Sequence, residues 1–164
     1  MALPSADVEL IRIGTPLHDI GKIGIGDTIL GKPDRLTPIE FEKMKLHTVK
    51  GAEILSTVPG LLPIIPIVRS HHERWDGNGY PDGLAGEAIP LMARIVAVAD
   101  AYDAMTSDRP YRKAMPAEAV FDQIKNESGK QFDAQCVKAF LAIRDKIHDA
   151  TSDQSEALLA DSFT

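Results

Sequence analysis

The sequence predicts an all-α fold, a helical bundle, and three observations carry that reading. Apolar residues recur at helical spacing in several segments and nowhere in the alternation of a half-buried strand. Aromatic residues make up only 5% of a chain that is 44% hydrophobic, so Ala, Leu, Ile and Met must fill its interior, as they do between packed helices. Helix-starting residues stand at the heads of the apolar segments, at Thr37-Pro38, Pro90, Pro116 and Asp133.

The first helix is expected to run from a cap at Ser5 through Val8, Leu10, Ile11, Ile13 and Leu17 to His18-Asp19. Pro16 should weaken its last turn. Gly21, Gly24 and Gly26 then loosen the backbone. Thr37-Pro38-Ile39-Glu40 has the form of a capping box, with Pro at N1 and Glu at N3. It opens one helix carrying Met44, His47, Gly51, Ile54 and Leu55, which Pro59-Gly60 ends. Another helix begins near Pro63 or Pro66 and ends around His72. Gly, Asp and Pro residues from Asp76 to Gly86 make a long loop. Pro90 opens a strongly apolar helix whose stripe Ile95, Val98, Tyr102 and Met105 belongs to the core. Two amphipathic helices follow, from about Pro116 to Lys125 and from Ala134 to Ile147, the second capped by Asp133. There is no internal repeat.

A chain of 164 residues suits a single domain with a sizeable core. Its one cysteine, Cys136, excludes a disulfide framework and a thiolate zinc site. The N-terminus has neither the basic region nor the apolar run of a signal peptide, and GLLPIIPIV is too short and too proline-rich to span a bilayer. A cytoplasmic protein without membrane insertion is expected. The formal charge of −6 is concentrated at the end, where Asp149, Asp153, Glu156 and Asp161 stand without Lys or Arg. Residues 149–164 are therefore expected to form a flexible acidic tail behind a domain over 1–148. Arg109, Arg112 and Lys113 form a local basic cluster able to attract an anion. No extended basic face is visible, which argues against a nucleic-acid polymer as partner.

Four segments carry metal-ligand chemistry: His18-Asp19 in HDIGK, His47 in HTVKG, His71-His72 in HHERWDGNGYP, and Asp100 in AVADAYDA. Singly, His47 would be an ordinary histidine and Lys22 a surface lysine. Asp100, midway along an apolar helix, would be a costly buried carboxylate without a cation. Neighbouring residues on a helix point about 100° apart, so His18 and Asp19 can approach a metal from different sides. Asp19 has two oxygens and could bridge two ions, and the His71-His72 doublet could serve two. Asp103 is a candidate support for Asp100 or a cap for the following loop. Imidazole and carboxylate without sulfur suit iron, manganese, nickel or catalytic zinc. Paired ions of this kind suit phosphoester hydrolysis.

HDIGK, HTVKGAEIL, HHERWDGNGYP and VADAYDAMTSDRPYR resemble, in order and spacing, the successive motifs of HD-GYP domains, a branch of the HD phosphohydrolase superfamily. The resemblance spans residues 1 to about 148, and the intact Gly79-Tyr80-Pro81 makes it specific to that branch. It implies an HD-type helical bundle around a central metal site. It implies a bacterial signalling phosphodiesterase that opens cyclic di-GMP to pGpG or GMP with two or three divalent metals, iron or manganese first, zinc or nickel as alternatives. His18, Asp19, His47, His71, His72 and Asp100 would be ligands, with Asp19 and Lys22 catalytic. Lys22, Tyr80, Arg109 and Arg112 would contact the substrate, a cyclic dinucleotide. A signalling protein docking on the GYP loop is a further expected partner.

HD-GYP domains normally carry an additional upstream helix that supplies another histidine. About seventeen residues precede His18 and none is histidine, so the sequence as it stands is expected to lack that helix. The apolar surface this would leave is expected to favour a homodimer. Two rival readings are an HD hydrolase of another nucleotide, which the GYP segment and Arg-rich loop oppose, and a non-catalytic regulatory module.

Overall fold

The computed structural model describes residues 1–108 and 112–147. Arg109 and the tail 149–164, on which expectations above fall, lie outside the described residues. Helix α1 (Ser5–Leu17) leads through a 3₁₀ turn (Ile20–Gly24) into the short α2 (Asp27–Leu30). Then come α3 (Pro38–Lys45), α4 (His47–Ser56), a 3₁₀ turn (Pro59–Ile64) and α5 (Ile65–Ser70). After the long loop, α6 (Leu91–Thr106), α7 (Ala117–Asn126) and α8 (Ala134–Leu141) complete an all-α structure, with no strand among the described residues.

Local chemistry explains most boundaries. The Thr37 hydroxyl accepts from the Glu40 N–H while Glu40 reaches back to the Thr37 N–H at 2.7 Å, completing the capping box. Asp133 caps α8 by accepting from the Gln135 N–H at 2.7 Å. Four expectations need correction. Ser5 is the first helical residue, and Pro4, with extended backbone, occupies the cap position instead. The single helix expected after Thr37 breaks at Leu46, whose N–H is shared between the Lys43 and Met44 carbonyls. That tight turn lets α3 stay on the surface with no buried residue while α4 buries His47, Thr48, Gly51, Ala52 and Leu55. The helix expected to run unbroken from Ala134 to Ile147 is interrupted after Leu141, where the Ile143 N–H turns back onto the Phe140 carbonyl, and resumes over 144–147, where the Ile147 N–H donates to the Ile143 carbonyl. Asp103 is exposed and supports nothing in the interior.

The core has two parts, joined by α6. Leu55, Ile64, Ile67, Val68 and Val96 form one cluster, with Leu10, Ile11 and Leu17 of α1 packed against it. Val98, Tyr102, Val120, Phe121, Ile124, Phe132, Cys136 and Val137 form the other. Each fully buried Val, Leu, Ile or Phe contributes roughly 1.5–3 kcal/mol from water exclusion. Val8 and Ile13, grouped with the apolar face of α1, are exposed. No helix among the described residues is long and apolar enough to cross a membrane.

Candidate metal centre

The ligand candidates converge because short helices end against one another. His18 follows the last residue of α1, His47 opens α4 just after α3, and His71 follows α5. Each ring turns back onto its own chain. Nδ1 of His18, His47 and His71 donates to the carbonyl three residues earlier, of Thr15, Met44 and Val68, at 2.5, 2.7 and 2.9 Å. A carbonyl oxygen can only accept, so each Nδ1 carries the proton. A neutral ring of that tautomer presents its bare Nε2 to the centre, the arrangement a metal-binding histidine needs.

The 3₁₀ turn after α1 is pressed against α4. A Cβ on Gly21 would lie 1.9 Å from the His47 carbonyl oxygen and 2.4 Å from the Gly51 nitrogen, so only glycine allows this approach. Gly21 is thus a packing position, not the flexible link expected from the sequence. The approach sets Asp19 beside His47: Asp19 Oδ1 lies 3.3 Å from His47 Nε2, and Asp19 Oδ2 lies 3.3 Å from His18 Nε2. Ligand atoms of Asp19, His47, His71 and His72 all lie within 4.8 Å of one another. Asp100, from the middle of α6, reaches His18 Nε2 at 3.4 Å. All six sequence-predicted ligands therefore meet in one place.

Three buried atoms there have no hydrogen-bond partner: Asp19 Oδ1, His47 Nε2 and His71 Nε2. Buried polar atoms are expensive to leave unpaired, so three such atoms aimed at a common point fit a bound cation. The fit extends to the chemistry of the donors, all nitrogen and oxygen without sulfur. Charge distribution follows the same geometry. Burial opposes protonation of His18, but hydrogen bonds to Asp100 and Asp19 prevail and push it up to about 10. Burial also opposes ionisation of Asp19, yet His18 and Lys22 hold its carboxyl well below the usual range. Burial lowers His47. Burial and neighbouring imidazoles bring His71 down to about 4 and His72 down to about 3. The metal-free fold thus keeps His71 and His72 neutral, while His18 holds a second proton, on Nε2 between the Asp19 and Asp100 carboxylates, where a cation would take that proton's place.

The long loop closes over this centre through Gly79 and Tyr80, expected from the sequence, and through groups not singled out there. Glu73 is buried, and its two oxygens accept from the Asp82 and Leu84 N–H groups at 2.7 and 3.0 Å. The Tyr80 N–H donates to the His72 carbonyl at 3.2 Å. Arg69 holds Asp82 through two bonds of 2.7 and 2.8 Å. A Cβ on Gly79 would lie 2.3 Å from the Arg74 nitrogen, so the loop folds onto itself at a glycine. These ties bring the Tyr80 ring to 4.9 Å from the His72 ring, centroid to centroid. Burial, then the Asp100 and Asp19 carboxylates, raise Tyr80 far above its ordinary range, so its hydroxyl stays a donor. Trp75 anchors the loop to the Gln131 carbonyl at 3.0 Å and has the Arg94 guanidinium over its ring.

Lys22 Nζ lies 2.5 Å from Asp19 Oδ2 and lines two cavities that meet at the centre. Arg112 lines one of them from the outer end, where it donates to the Ala104 carbonyl at 2.5 Å. Arg112 is exposed, its contacts are local, and it is not drawn into the metal cluster.

The profile of the HD domain family matches residues 1–136. The chain is 50% identical over 151 residues to a cyclic di-GMP phosphodiesterase of Thermotoga maritima, covering 91% of this chain and 41% of that protein. It is 44% identical over 159 residues to a cyclic di-GMP phosphodiesterase response regulator of Xanthomonas campestris, covering 96% of this chain and 42% of the relative. The chain thus spans about two fifths of the length of these relatives. Its fold is similar to that of a cyclic GMP-AMP-specific phosphodiesterase of Vibrio cholerae in a crystal structure, with a TM-score of 0.62 and 17% identity over 90% of this chain and 39% of the other.

Proposed function

Because the chain belongs to the HD domain family, in its HD-GYP branch, we propose that it is a metal-dependent phosphodiesterase that hydrolyses cyclic di-GMP to pGpG, GMP or both. The observation that carries this reading is the convergence of three unpartnered buried ligand atoms, on Asp19, His47 and His71, in a chain with that family membership. His18, Asp19, His47, His71, His72 and Asp100 would hold two or three divalent ions, iron or manganese first, with zinc or nickel also compatible with the donors. Bound ions supply positive charge for phosphoryl oxygens and make water a nucleophile at neutral pH.

The chain's own groups supply the rest. Asp19 turns one oxygen to His47 and the other to His18 and Lys22, which suits a bridging ligand. Lys22, at the junction of the two cavities, neutralises a non-bridging phosphate oxygen. Tyr80 keeps its proton and can donate to the substrate. Arg112, at the outer end of one cavity, binds the second phosphate of a cyclic dinucleotide, and Arg109 is assigned the same role on the resemblance of its motif.

Turnover of cyclic di-GMP by the purified chain with Fe(II) or Mn(II), under anaerobic conditions, tests the reading. Formation of pGpG or GMP, abolished by a chelator, is expected. A folded, metal-loaded sample that forms neither would replace this reading with a non-catalytic module.

A further inference from the structure

The two cavities that meet at Lys22 and His72 are similar in size, about 510 and 460 Å³, but unlike in chemistry. Both fall in the range of small-molecule sites. The larger presents the flat or flexible apolar groups Phe41, Met44, Tyr80 and Leu30, with Lys32 at its wall and the exposed Asp34 and Arg35 at its rim. The smaller lies beside α7 and presents Gln123, Glu127 and Gln131, with Arg112. Its amide and carboxylate groups are not free to take any orientation. Gln131 Oε1 accepts from Arg74 at 3.0 Å, which leaves the Gln131 NH₂ as the end available to the cavity. The same guanidinium is paired with Asp76 through bonds of 2.7 and 3.0 Å and lies 3.9 Å from Glu127 Oε2. Gln131 and Glu127 are thus neighbours of one guanidinium, which fixes the Gln131 amide, while its 3.9 Å contact to Glu127 is too long to occupy that carboxylate.

A carboxylate next to an amide donor matches one purine edge and opposes the other. Guanine presents two N–H donors, at N1 and N2, beside the O6 acceptor. Adenine presents an acceptor at N1 and a donor at N6, which would face Glu127 and the Gln131 NH₂ respectively, both mismatched. We propose that the α7-side cavity is a guanine-reading subsite, with Glu127 accepting from N1–H and N2–H and Gln131 donating to O6. The Phe41 and Tyr80 cavity takes either purine by stacking, which is tolerant of base identity. This rests on the reading of a cyclic dinucleotide as substrate. It makes selectivity one-sided: one guanine suffices, and a dinucleotide with two adenines is rejected.

The test separates binding from cleavage. Affinities of the Mn(II)-loaded full chain are measured for slowly hydrolysed phosphorothioate analogues of cyclic di-GMP and cyclic di-AMP. Hydrolysis of bis(p-nitrophenyl) phosphate, which has no base, reports the metal centre alone. The parent is expected to prefer the guanine analogue by about tenfold to a hundredfold, the discrimination of one good bidentate base contact. Glu127→Gln, on a half-buried residue, should remove at least about tenfold of that preference while leaving the base-free rate within about twofold. Gln131→Leu should reduce the preference by a smaller factor. A parent that binds neither analogue, or binds both equally, overturns the subsite. So does a Glu127→Gln variant with an unchanged ratio or with equal losses for both. A parent that binds selectively but cleaves no cyclic dinucleotide would leave the subsite standing and remove the phosphodiesterase reading instead.

Discussion

The two halves of the core, joined by α6, use similar apolar residues to opposite ends. Around Phe121, the cluster of α6, α7 and α8 interlocks Tyr102, Phe121 and Phe140 with ring centroids 5.1–5.7 Å apart and contains none of the candidate metal ligands. Around Ile67, the other cluster supports His18, His47 and His71, with the His71 ring 4.9 Å from that of His18 and 5.5 Å from that of His47, centroid to centroid. Of the four buried side-chain atoms without a partner among the described residues, three are in the metal centre. The fourth, Arg94 Nε, belongs to a guanidinium that binds Asp133 at 2.6 Å. One half is finished as a polypeptide. The other is finished only by something added to it, and a half-satisfied polar cluster is less stable than an apolar one of the same volume.

The sharpest way to break that contrast is His47→Leu, which replaces a buried imidazole whose Nε2 has no partner with an apolar side chain of similar bulk. Hydrolysis should fall by at least about a thousandfold, as when one member of a catalytic unit is removed. The thermal stabilisation by Mn(II), about 2.7 kcal/mol at a hundredfold excess over Kd, should vanish. The metal-free protein should stay within about 1 kcal/mol of the parent. A large loss in the metal-free state would show that this half is already complete without an ion. Phe121→Ala should do the reverse, lowering stability by about 3–5 kcal/mol in urea melts while calorimetric metal affinity is unchanged. Altered affinity would couple the two halves.

Acid titration sharpens the comparison further. His71 and His72 are lowered to about 4 and about 3 in the fold, so the fold favours their neutral forms. Their contribution is complete above the unfolded value near 6.5 and is lost as pH falls from there toward 4. His18, raised to about 10, contributes fully below 6.5 and cannot offset that loss. Metal-free melting temperatures should therefore drop between pH 6.5 and 4, with each pKa unit worth about 1.4 kcal/mol, and Mn(II) at pH 7 should protect. A flat profile over that range would refute the assignment of unprotonated rings. Gly21→Ala should cost about 1–3 kcal/mol by overpacking and weaken metal binding with it, because the displaced backbone carries His47. The smallest effect is Thr37→Ala. Loss of that cap should cost about 1 kcal/mol and leave metal affinity as it was.

Much of the candidate centre was legible in the sequence because its candidate ligands sit in short local motifs. His18-Asp19, His47, His71-His72 and Asp100 announce themselves by residue type, and the helices between them by spacing and caps. The break at Leu46 was not legible, since its backbone stays in the right-handed helical region and the apolar rhythm runs on across it. Gly21 looked like a flexible link because its partner is a carbonyl on another helix. Glu73 was hidden for the same reason: a charged residue in a loop gives no sign that it is buried under two distant N–H groups. A grouping signal was present, in that Glu73 follows the ligand pair directly. Gln131 and Glu127 carry no motif at all and gain meaning only from the cavity wall that Arg74 organises.

The histidines that turn back onto their own chains have an electrostatic consequence. His18, His47 and His71 sit at or just beyond the C-terminal ends of α1, α3 and α5, where last-turn carbonyls carry partial negative charge and accept from the ring Nδ1 atoms. At His47 the start of α4 brings a positive pole beside the negative end of α3, so only at His18 and His71 does a helix C-terminus stand by itself. Each ring relays its pole, because an N–H drawn toward a carbonyl leaves more electron density on the far nitrogen. The backbone thus orients three imidazoles for a cation before Asp19 or Asp100 is counted, through carbonyls that a side-chain substitution leaves in place.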